Sequence, residues 1–433
     1  MAYDLGILGG GASGLGAALL AHSRDMSVFL SDYGQLGEGD RKLLIEKNVD
    51  FEEGGHSINI LSECGTLVKS PGIPQKAKTI KQLRQGNARI ISEIELASRY
   101  LPDNAKMIAI TGSNGKTTTT NLIHHLLVSA GYNAVKGGNL GPSFSSLLMD
   151  DPVDYYVVEV SSFQLEDIDS FRPDISLLLN ITPDHLDRYN YDFGEYADTK
   201  MKIKLYQTAQ DLFIYNAEDQ AIVNRVDLDS LGFYHMGISY DDRPEPIDNA
   251  YLKGDHNRMN AAFAIKAVQH LGVSDEIIQG GLKSFVNDDH RMQPVATIDG
   301  VDWINDSKAT NVDSTRYALM AIDNSIVWIV GGVDKGNDYT VLEELVDDRV
   351  KHIIALGTDN SKIESAFGSK VQVSSTDSME AAITVADRVS RHGETVLLSP
   401  ACASFDLFNN YMDRGEQFIA HVQQLKNTKK IKS

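Results

Sequence analysis

The stretch IAITGSNGKTTTT, residues 108–120, constrains this chain more than any other. Met107, Ile108, Ala109 and Ile110 predict a short buried strand, residues 112–115 a glycine-bracketed loop, and Thr117 onward a helix carrying Leu122, Ile123, Leu126 and Leu127. In that order they make a cradle for a polyphosphate. Small residues let backbone N–H groups curl round the anion, the helix N-terminus adds partial positive charge, and Lys116 reaches the terminal phosphates. Thr117 adds a hydroxyl suited to a magnesium ion. The general pattern G-x-x-x-x-G-K-[ST] would place glycine at Ile110, so this is a shortened variant beginning at Gly112. An ordinary Gly/Asn turn before a lysine is the alternative, and the agreement of strand, loop and helix weighs against it. The candidate phosphate-binding residues are Gly112, Ser113, Asn114, Gly115, Lys116, Thr117 and Thr118.

At 433 residues the chain has the length of about three domains. Its formal charge of −20 argues against a general nucleic-acid binder, which needs a basic face to displace counterions. With only Cys64 and Cys402 there is no disulfide framework to read, which fits a reducing compartment. The opening MAYDLGILGGG lacks a basic leader, and no apolar run reaches the roughly 18 residues of a membrane span. The expectation is a soluble cytoplasmic protein with no membrane insertion.

Near the N-terminus, strand-like Leu5, Ile7 and Leu8 lead into Gly9, Gly11 and Gly14 in G-x-G-x-x-G spacing, then a helix, then a second strand ending at Asp32. Taken alone this pattern says nicotinamide-dependent oxidoreductase. A glycine turn feeding a helix N-terminus nonetheless binds any pyrophosphate, including that of a nucleotide sugar, so the fingerprint indicates a diphosphate without naming it. The segment VKSPGIP, residues 68–74, makes a rigid corner after another predicted strand and reads equally as a ligand loop or a turn.

Beyond the phosphate loop, GGNLG (137–141) is a second glycine-rich loop whose one hydrogen-bonding side chain is Asn139. YYVVEVSSFQLE places Glu159 near a strand end, resembling the second metal-holding element of phosphate-loop enzymes. His185, between Asp184 and Asp187 in TPDHLDRY, is either a metal ligand or a loop histidine. A helix predicted over 195–207 carries Lys200, Lys202 and Lys204, which ordinarily make a solvated face. Asn257 and Asn260, i and i+3 on a helix over 256–271, either hydrogen-bond a base or cap the helix.

The last third again alternates strand and helix, so a third parallel sheet is expected. Its loops NDSKATN (305–311), GGVDKGND (331–338) and SPACASFDLF (399–408) follow predicted strands, with Ser404 at an expected helix start. Converging at strand ends, three such loops would form a carboxylate site.

Together TGSNGKTT, EVSSFQLE, the DH pair and HNRMNA, in this order, resemble the Mur ligases, the ATP-dependent enzymes that build the peptide of bacterial peptidoglycan. The glycine-rich start with SPGIP, GGNLG, NDSKATN and SPACASFD is most similar to the branch that adds D-glutamate to UDP-N-acetylmuramoyl-L-alanine. The resemblance implies an α/β protein of three domains: a Rossmann-like N-terminal domain over 1–94 for the UDP-substrate, a central P-loop ATPase domain with a parallel sheet over 95–287, and a C-terminal Rossmann-like α/β domain over 288–433 for the amino acid. It implies an acyl-phosphate mechanism, a monomer, ATP, and two magnesium ions held by Thr117, Glu159, His185 and a carbamate on Lys200. Lys116, Glu159, His185 and Lys200 would be catalytic. Asn257, Asn260, Arg291 and Asp306 would lie on the nucleotide side, and Ser13, Asp32, Ser70, Gly72 and Asn139 along the UDP-substrate. Lys308, Thr310, Lys335, Ser404, Phe405 and Tyr411 would form the D-glutamate pocket. Two lysines there, Lys308 and Lys335, suit an amino acid with an extra carboxylate better than a related ligase's alanine. An ATP-responsive binding protein is the remaining alternative, and its mark would be loss of the metal and carbamate positions, all of which are present.

Overall fold

The computed structural model describes residues 3–227, 231–334 and 336–432; Lys335 lies outside them. Five strands of the first segment, β1 (Leu5–Leu8), β2 (Val28–Ser31), β3 (Asp50–Glu52), β4 (Thr66–Lys69) and β5 (Ile90–Ser92), pair in parallel in the order β3-β2-β1-β4-β5. The expected glycine turn sits after β1, and the helix Ala12–His22 starts directly behind it. Gly14 is required by contact, since a Cβ there would stand 1.8 Å from the Gly9 carbonyl oxygen.

A second all-parallel sheet contains β6 (Lys106–Thr111), β7 (Ala134–Gly138), β8 (Tyr155–Glu159), β9 (Ile175–Leu178), β10 (Leu212–Asn216) and β11 (Tyr234–Ile238), ordered β11-β10-β9-β6-β8-β7. β6 and β8 are apolar and buried along nearly their whole length, as strands covered on both faces must be. Because β8 and β9 flank β6, the connections after these strands leave the same edge at a switch in strand order. Open parallel sheets bind ligands at such a point. The two sheets share one compact unit, Met1–Arg243 with Asn260–Gly281. Within it the helix Ala12–His22 lies against the short helix Phe144–Leu147, close enough that a Cβ on Gly16 would meet Ser143 Oγ at 2.1 Å.

The second unit, Pro244–Met259 with Leu282–Ser433, holds the third sheet. Its strands are β12 (Gln293–Ile298), β13 (Val301–Asn305), β14 (Ile326–Val330), β15 (Val350–Leu356), β16 (Gln372–Thr376) and β17 (Thr395–Leu398), ordered β12-β13-β17-β14-β15-β16. The expected third parallel sheet is present, with one departure at its edge. β12 and β13 are antiparallel, whereas the other pairs are parallel. The reason is local: Asp299 and Gly300, at φ 51° and 78°, form the two-residue Asp-Gly turn that closes a tight hairpin. Ser404 does not begin a helix either. It lies among turns, and the next helix starts at Tyr411.

Replacing Gly14 with alanine forces its methyl into backbone and should cost about 1–3 kcal/mol or more. Gly11→Ala, where nothing lies within 4 Å of the added carbon, should stay within about 0.5 kcal/mol of wild type in chemical denaturation.

Candidate active site

Three chain segments form the centre of the site. The loop after β6 runs into the helix Lys116–Ser129, β8 ends at Glu159, and the segment after β9 carries Asp184 and His185. Lys116 folds back so that its Nζ donates to the carbonyls of Gly112 and Ser113, both at 2.8 Å. The loop is braced from beneath. Ser113 Oγ donates to Thr182 O and lies 2.9 Å from the Tyr196 hydroxyl, while the Asn114 N–H donates to Asn180 Oδ1. Ser113 and Asn114 therefore hold the loop's shape through their side chains or their partners.

Thr117 and Glu159, 42 residues apart, meet in a buried hydrogen bond of 2.7 Å from Thr117 Oγ1 to Glu159 Oε2. Asn139 Nδ2 donates to the other carboxylate oxygen at 2.8 Å, and its N–H donates to the Glu159 carbonyl. The GGNLG loop is thus tied to the phosphate loop through one acid. A hydroxyl and a carboxylate oxygen side by side are hard donors, and magnesium commonly takes one or two carboxylates plus substrate phosphates. The residues fit such an ion, although among the described residues no group of three His, Cys, Asp or Glu comes together as a complete metal cage.

Lys200 does not lie on a solvated face. The helix Phe193–Met201 turns it inward, leaving it 2% exposed, and its Nζ donates to the Gly112 carbonyl at 2.8 Å, the same oxygen Lys116 uses. Burial, reinforced by the Lys116 charge, pulls Lys200 well below the usual lysine range against the opposing pull of Asp184 and Glu159. Its amine is therefore biased toward the neutral form. Lys116, Asn139, His185 and Lys200 line one cavity of about 110 Å³, joined by Ser161, Ser162, Phe163, Asp184 and Tyr196. His185 adopts φ 51°, its ring packs edge-on to Phe163 at 5.1 Å, and its Nε2 is 3.6 Å from Asp184 Oδ2.

In the N-terminal sheet, Asp32 stands just past the end of β2. Its carboxylate accepts the N–H groups of Gly10 and Gly34 and so closes the glycine turn. Ser70 Oγ donates to the Gly9 carbonyl, bringing the SPGIP corner beside that turn; Ser13 is half-buried in the first helical turn and Gly72 is exposed. Asn260 stands against the phosphate loop, since a Cβ on Gly115 would lie 2.4 Å from its Oδ1. The Asn257 side chain binds the Tyr251 and Lys253 carbonyls, the turn leading into its own helix.

In the second unit, the three predicted loops leave neighbouring strands β13, β17 and β14. What binds them was not foreseen: Arg414, 1% exposed, donates from Nε to Ser307 Oγ, from Nη2 to Ser307 O and Cys402 O, and from Nη1 to Cys402 O and Gly331 O. Every N–H of the guanidinium is matched to an acceptor on one of the three loops. Burial lowers its pKa to about 10, still cationic at neutral pH. Lys308 Nζ stands 5.1 Å over the Tyr411 ring, Thr310 is half-buried, Ser404 is buried and Phe405 is exposed. Asp306 is buried, accepts from Met292 N–H and Ser399 Oγ, and is pushed up to about 7 by desolvation despite the charges of Arg291 and Arg414.

Two predictions follow from this geometry. Lysine at 414 has three donors for five contacts, and each buried carbonyl left unmet costs about 1–3 kcal/mol, so Arg414→Lys should destabilise by about 2 kcal/mol or more in denaturant titrations. For Asp306 the folded pKa of about 7 exceeds the ordinary 3.8, so its contribution is fully present below pH 3.8 and is lost as pH rises to about 7. Thermal melts of wild type should therefore fall relative to Asp306→Asn across that window, and a constant difference would contradict the assignment.

Three family matches cover the chain in order: the MurD N-terminal domain over residues 4–78, the Mur ligase middle domain over 110–249, and the Mur ligase glutamate ligase domain over 290–402. The chain is 42% identical to the UDP-N-acetylmuramoylalanine--D-glutamate ligase of Christiangramia forsetii, covering 98% of this chain and 100% of the relative. It is 43% identical to the enzyme of the same name from Porphyromonas gingivalis, covering 98% and 99%. Among solved structures, MurF ligase from Thermotoga maritima in complex with ADP superposes with a TM-score of 0.63 at 15% identity, over 93% of this chain and 96% of that one. The MurC UDP-N-acetylmuramate-alanine ligase of the same organism gives 0.60 at 17%, over 98% and 100%. The chain belongs to the Mur ligase family, alongside its UDP-N-acetylmuramoylalanine--D-glutamate ligases.

Proposed function

We propose that this ATP-dependent ligase joins D-glutamate to UDP-N-acetylmuramoyl-L-alanine in peptidoglycan synthesis, acting in the cytoplasm as a monomer, with its three domains divided at 1–94, 95–287 and 288–433. The observation that carries the chemistry is the buried chain Thr117–Glu159–Asn139 beside a cavity that also receives Lys116, His185 and Lys200. An amine does not displace an oxide from a carboxylate at neutral pH, so the carboxylate must first be given a leaving group. A carboxylate oxygen of the L-alanyl residue attacks the γ-phosphorus of ATP and ADP departs. The amine nitrogen of D-glutamate then attacks the acyl-phosphate carbon, the C–N bond forms, phosphate leaves, and the amine loses a proton.

Lys116 exchanges its loop carbonyls for the β- and γ-phosphates and neutralises charge as it spreads in transfer. The backbone N–H groups of residues 112–118 cradle the polyphosphate, with Asn257, Asn260, Arg291 and Asp306 on the nucleotide side. Thr117 and Glu159 would hold one magnesium ion, and His185 with a carbamate on Lys200 a second; bound there, the ions would supply further charge neutralisation at the phosphates. The bias of Lys200 toward the neutral amine supports this, because only that form adds carbon dioxide, losing a proton to become an anionic oxygen donor. Asn139 fixes Glu159 and faces the muramoyl-alanine part, while Ser13, Asp32, Ser70 and Gly72 lie along the uridine diphosphate. Lys308, Thr310, Lys335, Ser404, Phe405 and Tyr411 receive D-glutamate, the two ammonium groups matching its carboxylates.

Phosphate release should require ATP, magnesium, the UDP-substrate and D-glutamate together, with L-glutamate inactive; release with a different amino acid would overturn the assignment of Lys308 and Lys335. Lys200→Ala should lose about 100-fold or more in turnover, on the scale of lost electrostatic stabilisation, and added acetate or formate should restore part of it. Full activity in the plain variant would remove the carbamate.

A further inference from the structure

Arg188 belongs to none of the groups above, yet its side chain touches both the substrate-diphosphate corner and the surroundings of His185. Its guanidinium makes a bidentate pair with Glu166, Nε to Oε1 at 2.7 Å and Nη2 to Oε2 at 2.8 Å, with both side chains more than nine-tenths buried. The same Nη2 donates to the Ile73 carbonyl of the SPGIP corner at 3.1 Å. Lys69, itself 1% exposed, donates to that carbonyl at 2.9 Å and pairs with Glu166 at 3.4 Å. One backbone oxygen of the 70–74 corner is therefore fixed by two buried cations that share one acid.

The other face of the guanidinium lies over the Phe163 ring, 4.1 Å from its centroid, and Phe163 stands edge-on against His185. Through its backbone, Arg188 donates to the His185 carbonyl at 3.0 Å, closing the turn Leu186–Tyr189 that holds His185 in its left-handed conformation. A residue other than glycine keeps such a conformation only where its surroundings impose it.

We infer that Arg188 is a positioning residue that couples the seating of the substrate diphosphate at the 70–74 corner to the placement of His185. The inference rests on the functional reading above. Arginine is needed because a single planar fork must bind the acid, bond the carbonyl and lie against a ring, and lysine, a point charge, does at most one of these well.

The test is steady-state kinetics on full-length Arg188→Lys and Phe163→Leu, with thermal melts alongside. Arg188→Lys should raise KM for UDP-N-acetylmuramoyl-L-alanine and lower kcat, each by about 10-fold or more given how steeply rate depends on alignment. Phe163→Leu removes the ring that lies between Arg188 and His185 and packs on Tyr189, but leaves the bonds of Arg188 to Glu166 and the Ile73 carbonyl in place, so kcat should fall while KM for the UDP-substrate stays within about twofold. In both variants KM for D-glutamate should be unchanged. A purely structural role would lower melting temperature or move all three KM values together, and either pattern without the kcat and KM split overturns the inference. If Arg188→Lys does not fold, an unchanged kcat in Phe163→Leu overturns it alone. A wild-type chain that binds the UDP-substrate but never turns over sinks the functional reading instead.

Discussion

Two lysine side chains converge on one carbonyl oxygen, that of Gly112, each at 2.8 Å, and much of the central site depends on that conflict. Two ammonium groups cannot share a buried acceptor without strong repulsion, since the interior screens charge poorly. The conflict resolves unequally: Lys116 is partly open to the cavity, whereas Lys200 is almost wholly enclosed, and burial pulls the enclosed amine toward neutrality. Two lysines on one fold thus reach the same atom, and burial biases the enclosed one toward its neutral form. The carboxylate of Glu159 adds the compensating negative charge, and its two oxygens are directed by Thr117 on one side and Asn139 on the other.

A different constraint organises the second unit. A Val333–Ala403 bridge joins two of its three loops, and the guanidinium of Arg414 ties all three together by donating to their backbone and hydroxyl oxygens. A buried cation satisfied by neutral acceptors keeps its charge, as its pKa of about 10 indicates.

Much of this was legible in the sequence. The phosphate loop, Glu159 at its strand end and the three C-terminal loops follow from apolar runs broken by glycine and polar residues, because strand periodicity and turn chemistry are local properties. The β12–β13 hairpin was missed although Asp299-Gly300 is a strong turn signal, since the alternating strands and helices around it outweighed two residues. The inward turn of Lys200 came only from the family resemblance, because neighbouring lysines at short spacing say nothing about which way a helix faces. Arg414, Arg188 and Phe163 gave no local signal, because their partners lie 12 or more residues away in at least one contact each and only tertiary structure brings them together.

In the proposed reaction the substrate carboxylate is activated by phosphoryl transfer before the amine attacks. Labelling both carboxylate oxygens of the L-alanyl residue with oxygen-18 and examining the released phosphate by mass spectrometry tests it directly. One labelled oxygen is expected in each phosphate, carried over through the broken C–O bond of the acyl phosphate. Phosphate released without label, alongside normal formation of the amide, would contradict it.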